Sequence, residues 1–473
     1  IPSALGYIGT RVNYDILSYL PEDLDSVRGE RLLEEPFHMA ATSMLIVEGM
    51  PAAYTNDLIN EIKEVPGVSS AIWLSNAVGI QIPTDFIPAA LRDMFFAGDS
   101  TMMIIQYEKS GAAEETMQAI DDVRSLCNEK CFLAGFSVVI KDTKDLVDQE
   151  LPIYVGLAVL LSLVAMSLTM ESMVLPFVFL LSIGMAIVYN FGTNIFLGEI
   201  SYITQAIAAV LQLGVTMDYS IFLYHRYREE RLLHEDPRDA MAEAIVAAFT
   251  FLSGSSLTTI AGFLALCFMQ LTLGRDIGLV MAKGVALGVV CTIVILPALI
   301  LFFDKWVEKY RHRTFIPKLT RLSHFVSGHP VGVLIASIAM IIPFALAQGR
   351  TSVYYALFDA LPQDMPGIVG VSKLGEDFGM VTNHFILVHD DLPASKVSAL
   401  CDDIGELDGI TQVVSLDAIT GPGFPTEILP DGILEILQNA GYKLILANGA
   451  YKAGSDAVNA QVEQMIALVK AAD

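Results

Sequence analysis

One acid stands in the middle of an apolar run: Asp218, in the segment GVTMDYSIFLYHRYREE, with Tyr219 directly after it. Ionisable groups at membrane depth are costly to hold, so they mark proton or ion pathways by default. A carboxyl in that position can take up and release a proton. Gly214 sits four residues earlier, one turn back on the same face, where the missing side chain leaves room for another backbone. The next apolar run, TFLSGSSLTTIAGFLAL, concentrates the hydroxyls of Ser253, Ser255, Ser256, Thr258 and Thr259. They can relay protons from Asp218 or simply pack as small residues at a helix interface. The competing reading of Asp218 is a neutral carboxyl bonded to such hydroxyls as helix glue. Lys283 is the other charge within a span. At 1.5 Å per residue it lies about 10 Å to one side of the midplane and Asp218 about 7 Å to the other. Side chains do not close that gap, so Lys283 is expected to snorkel to the outer interface.

Other chemistry is thin. The sequence contains no GxxxxGK[ST] nucleotide cradle. Cys127, Cys131, Cys267, Cys291 and Cys401 lack zinc spacing, and Cys127 and Cys131 read as i,i+4 on one helix rather than as a disulfide framework. His225 reads as a lone interfacial residue. No metal or cofactor is expected. An intramembrane aspartyl protease needs two facing carboxyls, and Asp218 is the single mid-span acid; the chain is expected not to be an enzyme.

The elements that must position Asp218 are visible in the charge pattern. The 473 residues are 53% hydrophobic and 17% charged, with a net charge of −25 and a mean hydropathy of +0.54. Residues 1–150 carry 10 basic and 24 acidic residues, residues 151–348 carry 12 of each, and residues 349–473 carry 6 and 17. The excess acid therefore sits in two end blocks around a neutral middle. This excludes a single soluble domain and a nucleic-acid binder. Six apolar runs of membrane-crossing length fill the middle, at 151–170, 172–194, 201–224, 243–268, 277–303 and 325–348. Lys305, Lys309, Arg311, Arg313, Lys318 and Arg321 between the last two, and Arg226, Arg228, Arg231 and Arg238 after the third, fall on one side. By the positive-inside rule that side is cytoplasmic, and both acidic blocks lie outside.

The sequence also repeats itself. An offset of 341 places Ile1, Pro2, Ala4 and Leu5 on Ile342, Pro343, Ala345 and Leu346. It places Val12, Tyr14, Leu20, Pro21 and Asp23 on Val353, Tyr355, Leu361, Pro362 and Asp364, and Phe37, Met39 and Val47 on Phe378, Met380 and Val388. A tandem duplication is expected. The expected organisation is the outer end of a first transmembrane helix at 1–8 and an outer α/β domain at 9–150. A five-helix cluster at 151–303, a basic segment at 304–324, a helix opening the second repeat at 325–348 and a second, incomplete outer domain at 349–473 follow. The chain then reads as part of a longer protein whose second half supplies further spans. Each outer block runs strand, helix, strand, strand, helix, the start of a split βαβ domain: SMLIVEG, Thr55–Val65, GVSSAIWL, TMMIIQYE and Ala112–Asn128 in the first; HFILVHD, Ser395–Leu407, GITQVVSL, KLILANGAY and Ser455–Ala472 in the second.

With this plan, the chain resembles the resistance–nodulation–division superfamily. The segment around Asp218 and the run SGSSLTTIAGFLAL are similar to the MMPL branch of lipid and hydrophobe exporters. The resemblance covers essentially the whole chain. It implies a multi-span α-helical protein of a bacterial cell membrane with α+β, porter-like outer domains. It also implies proton-driven export of lipid-like or amphiphilic small molecules, with Asp218 and Tyr219 in a proton relay completed by a matching pair in the second half. The partners implied are protons, membrane lipids and a hydrophobic substrate. Patched-like proteins share the GxxxD span, so a lipid- or sterol-sensing protein without proton-coupled export is the alternative.

Overall fold

A computed structural model describes residues 3, 6, 9–34, 37, 41–73, 89–313, 320–351, 357–420, 434 and 437–472. Ile1, Pro2, Ala4, Leu5, Met39, Lys318, Val353 and Tyr355, which the sequence reading used, lie outside these residues. In chain order, the first block holds β1 (Arg11–Asn13), α1 (Asp25–Glu34), β2 (Ala41–Glu48), α2 (Ala52–Lys63) and β3 (Val68–Ile72). It continues with β4 (Phe96–Ala97), β5 (Ser100–Tyr107), α3 (Glu114–Leu126) and β6 (Cys131–Ala134). The middle holds α4 (Phe136–Thr169), α5 (Leu175–Gly192), β7 (Glu199–Ser201), α6 (Tyr202–Glu230) and α7 (Pro237–Ala265). After these come α8 (Thr272–Val290), α9 (Leu296–Lys309), α10 (Thr320–Gly328) and α11 (Pro330–Gln348). The last block holds α12 (Pro366–Phe378), β8 (Thr382–His389), α13 (Ala394–Gly405), β9 (Ile410–Ser415), β10 (Gln438–Asn439), β11 (Tyr442–Gly449) and α14 (Asp456–Ala472). The described residues divide into a helical unit, residues 1–20 and 147–353, and a sheet unit, residues 21–146 and 354–473.

The helical unit has the expected six helices long and apolar enough to cross a membrane. All six differ by some residues from the hydropathy bounds, and at the first and the last the cause is visible. The first begins at Phe136 because its polar opening turns are still helical, with Lys141 bridging Asp145 one turn on; only its later part is apolar. The last is broken at His329, where Pro330 starts a new helix at the position proline tolerates. Between α8 and α9 the helix passes through a π-helical turn, Cys291–Ile295, just before Pro297. Proline lacks the donor that the ladder needs, and such a turn absorbs the mismatch.

In the sheet unit the order β3-β5-β2-β6, all antiparallel, is that of a βαββαβ domain. β5 is central and all eight of its residues are buried. The second sheet places β11 between β8 on one side and β9 and β10 on the other. The last strand of the first domain, β6, had no counterpart in the sequence reading because four residues give too little pattern. The two sheets are not separate domains in their packing. Leu374 and Phe378 of α12 share one core with Leu45, Ile105 and Leu133 of the first sheet. Gly370 brings α12 against the backbone of Leu133, where a side chain would collide. Glu48 of β2 bonds Lys373, and Ser100 of β5 donates to Asp377 at 2.8 Å.

Candidate functional site

α6 carries the residues singled out above. Ser201 caps it, its hydroxyl accepting from the Ile203 N–H at 3.2 Å. Asp276 of α8 tightens the same end by accepting from Ser201 N (2.8 Å) and Thr204 Oγ1 (2.6 Å). Along the helix, Gly214 and Asp218 share one face, and both are exposed. No heavy atom of another segment lies within 4 Å of where a Gly214 side chain would start. Among the described residues no helix packs on that face. Tyr219, 100° around the helix, is buried. Its phenol lies beside the hydroxyls of Ser255 and Thr259 on α7 and close enough to Asp218 to feel its charge. Tyr219, Ser255 and Thr259 are thus brought together. Ser253, Ser256 and Thr258 instead donate to carbonyls one turn back on their own helix, at 3.1, 3.3 and 2.7 Å, and Thr259, beside the phenol, also donates to the Ser255 carbonyl at 3.1 Å.

The opposite face of α6 holds a polar seam that the sequence reading missed. Asn190 of α5 donates to Gln212 Oε1 at 2.9 Å, and Gln212 donates to the Gly284 carbonyl of α8 at 3.2 Å. Lys283 gives its ammonium protons to the Asn190 carbonyl, 3.0 Å away, and to Asn194 Oδ1. These acceptors lie at the end of α5 remote from Glu171, so the ammonium reaches toward that end and is held there by protein oxygens. Gly284 and Gly288 are required here, since a side chain would strike Asn190 and Gln212 at one and Thr216 at the other. Five buried polar atoms nearby have no partner among the described residues: Ser182 Oγ, Asn190 Oδ1, Asn194 Nδ2, Thr216 Oγ1 and Thr292 Oγ1. The missed signal is Gln212, Thr216 and Ser220 at i, i+4 spacing, uncharged and so passed over in a search for ionisable groups.

At the basic end of the helices, Glu171 accepts from Arg228 and from Arg311 (3.1 and 2.8 Å), joining the α4–α5 link to α6 and to the segment after α9. Arg228 holds the Glu171 carboxyl below its usual range. A carboxyl depressed on folding stabilises above its unfolded pKa, and the effect is lost as pH falls through the folded value. Between about pH 5 and about pH 3, the melting temperature of the protein should therefore fall further than that of Glu171→Gln. Equal falls in the two thermal melts would contradict a stabilising role for the Glu171–Arg228 pair.

In the sheet unit, a cavity of about 300 Å³ lies between Arg124, Cys127, Cys131 and the start of α12. Cys127 follows the last residue of α3 and Cys131 opens β6, so the two are not on one helix as expected; the chain turns at Asn128, whose side chain accepts from Lys130 N at 2.8 Å. Hydrogen bonding from the Cys127 thiol pushes Cys131 down to about 6 and Cys127 up. Burial pushes Cys401 up. At pH 7 iodoacetamide should alkylate Cys131 well before Cys401, since the thiolate is the nucleophile. Mass spectrometry of peptides from a time course measures it, and equal rates would contradict it.

Residues 52–332, more than half of the chain, match the MMPL family model. The chain belongs to the MMPL family. This MMPL-family chain is 24% identical over 450 residues to the putative membrane protein SCO0839 of Streptomyces coelicolor, covering 91% of this chain and 62% of that one. It is 24% identical over 411 residues to an apo-petrobactin exporter of Bacillus anthracis, covering 77% and 54%. It is 25% identical over 189 residues to a mycolic acid-containing lipids exporter of Mycolicibacterium smegmatis, covering 37% and 20%. The chain spans less than two-thirds of the length of each. Family membership and six apolar helices make it a multi-pass protein of the cell membrane.

Proposed function

We propose that the chain is the substrate- and proton-handling part of a proton-driven exporter of lipid-like or amphiphilic molecules. The observation that carries this reading is Asp218, an acid on an open, glycine-bearing face of a membrane helix, with buried Tyr219 next to it and Ser255 and Thr259 beside the phenol. Asp218 and Tyr219 are the relay, Gly214 admits the backbone of a second set of helices, and Ser255 and Thr259 are the nearest hydroxyls to extend it. Ser253, Ser256 and Thr258 could join only by giving up their carbonyl bonds. The exporters among the relatives support a hydrophobic or amphiphilic cargo.

The reading includes a tandem repeat with both acidic blocks outside the cell. Its support is the recurrence of elements: β2 starts at Ala41 and β8 at Thr382, 341 positions on, while β5 starts at Ser100 and β11 at Tyr442, 342 positions on. By the same offset α1 answers to α12. A second set of helices would then cover the open face of Gly214 and Asp218. Cyclic protonation of Asp218 shifts the packing of α6 on α7, and the two sheets handle substrate.

The test is uptake of a fluorescent lipid by inside-out vesicles, with and without an imposed pH gradient. The exporter reading expects accumulation only with the gradient. Binding that ignores the gradient, with no directional flux, would favour the lipid- or sterol-sensing alternative instead.

A further inference from the structure

We infer that the seam between α5, α6 and α8 is a binding site for a file of water molecules, separate from Asp218. The observations are independent of the relay. Ser182 Oγ, Asn190 Oδ1, Thr216 Oγ1 and Thr292 Oγ1 are polar atoms without partners among the described residues, and each residue is 0–1% exposed. Asn194 Nδ2 is a fifth, at the Lys283 end. Within a membrane no bulk water reaches such atoms, so each must be satisfied inside the bundle.

Their placement makes one path. Ser182 and Asn190 lie eight residues apart on α5, and Gln212, Thr216 and Ser220 follow at i, i+4 on α6. α5 packs on α6, on α8 and on the π-helical turn that carries Thr292. From Lys283 to Thr292 is nine residues, about 13 Å along the helix, close to half of a hydrocarbon core of roughly 30 Å. The path therefore reaches from the Lys283 level well into the membrane on the side of α6 away from Asp218.

The chemistry of the groups selects the occupant. Asn190 Oδ1 needs a donor, Asn194 Nδ2 needs an acceptor, and the three hydroxyls can do either. One molecule type that both donates and accepts satisfies them all. The ammonium of Lys283 at one end disfavours a metal cation. Buried water makes about three hydrogen bonds to otherwise unpaired polar groups, which fits this set. The occupant is water.

The test uses the full chain in proteoliposomes. In the unaltered protein, with threonine methyls isotopically labelled, magnetisation should pass from water to the methyls of Thr216 and Thr292. Absence of transfer at both would overturn the proposal. As a second reading, in a background where the five native cysteines are replaced, Ser182→Cys, Thr216→Cys and Thr292→Cys are compared with Ala244→Cys and Ala248→Cys, both fully buried in apolar packing. The seam thiols should react with aminoethyl methanethiosulfonate at least about tenfold faster, since thiolate forms only where water enters. Rates equal to those of the two controls would contradict a hydrated seam. Neither readout depends on Asp218, so export and hydration can fail separately.

Discussion

Asp142→Ala should destabilise the sheet unit by about 3–5 kcal/mol, the range for removing one partner from a buried ion pair. Asp142 lies at the polar start of α4 and its side chain is 5% exposed. It accepts two bonds from the Arg124 guanidinium, the second at 2.9 Å, and a third from the Gly367 N–H at 2.7 Å. One carboxylate thus ties α3, α4 and the first turn of α12. Its loss strands the Arg124 charge, 24% exposed, and leaves a helix N-terminal donor without its acceptor. Guanidinium unfolding followed by Trp73, which is buried in this unit and donates to Thr101 at 2.8 Å, reads the effect. Asp142→Asn, which keeps an acceptor for Gly367, should lose less than Asp142→Ala. A change under about 1 kcal/mol for Asp142→Ala would mean the ion pair is not what joins the blocks.

How far the sequence led depended on the range of the interactions involved. The six membrane helices were legible because hydropathy is a local sum, and β2, β5, β8 and β11 because eight-residue strands show their pattern. The polar start of α4 escaped because hydropathy registers apolar content and not helicity. The packing of α12 on β6 was illegible for a different reason. Gly367 and Gly370 show a helix with small residues, but the segments they approach, the start of α4 and β6, lie more than 200 residues away. At the candidate site, Asp218 and Tyr219 stood out by type, and their unequal burial depends on which helices flank α6. The seam needed the same knowledge. Asn190, Gln212 and Thr216 become unusual only when α5, α6 and α8 are placed side by side.

Asp218→Asn should lower gradient-driven export by at least about 100-fold, or about 2.7 kcal/mol in the barrier of the coupled step. The amide matches the carboxylate in size and can still hydrogen-bond, but it does not exchange a proton. Folding should be unaffected, because the side chain is exposed on an open face of α6. Tyr219→Phe removes only the hydroxyl beside Ser255 and Thr259 and should give a smaller loss. The rival account, in which Asp218 is helix glue, expects reduced thermal stability with coupling retained. The direct measurement is proton movement itself: vesicles loaded with a pH-sensitive dye are given lipid substrate, and the rate of internal pH change is compared between the unaltered protein and Asp218→Asn. Substrate-dependent proton flux in the first and none in the second is the expected result. Equal flux in both would contradict Asp218 as the coupling group.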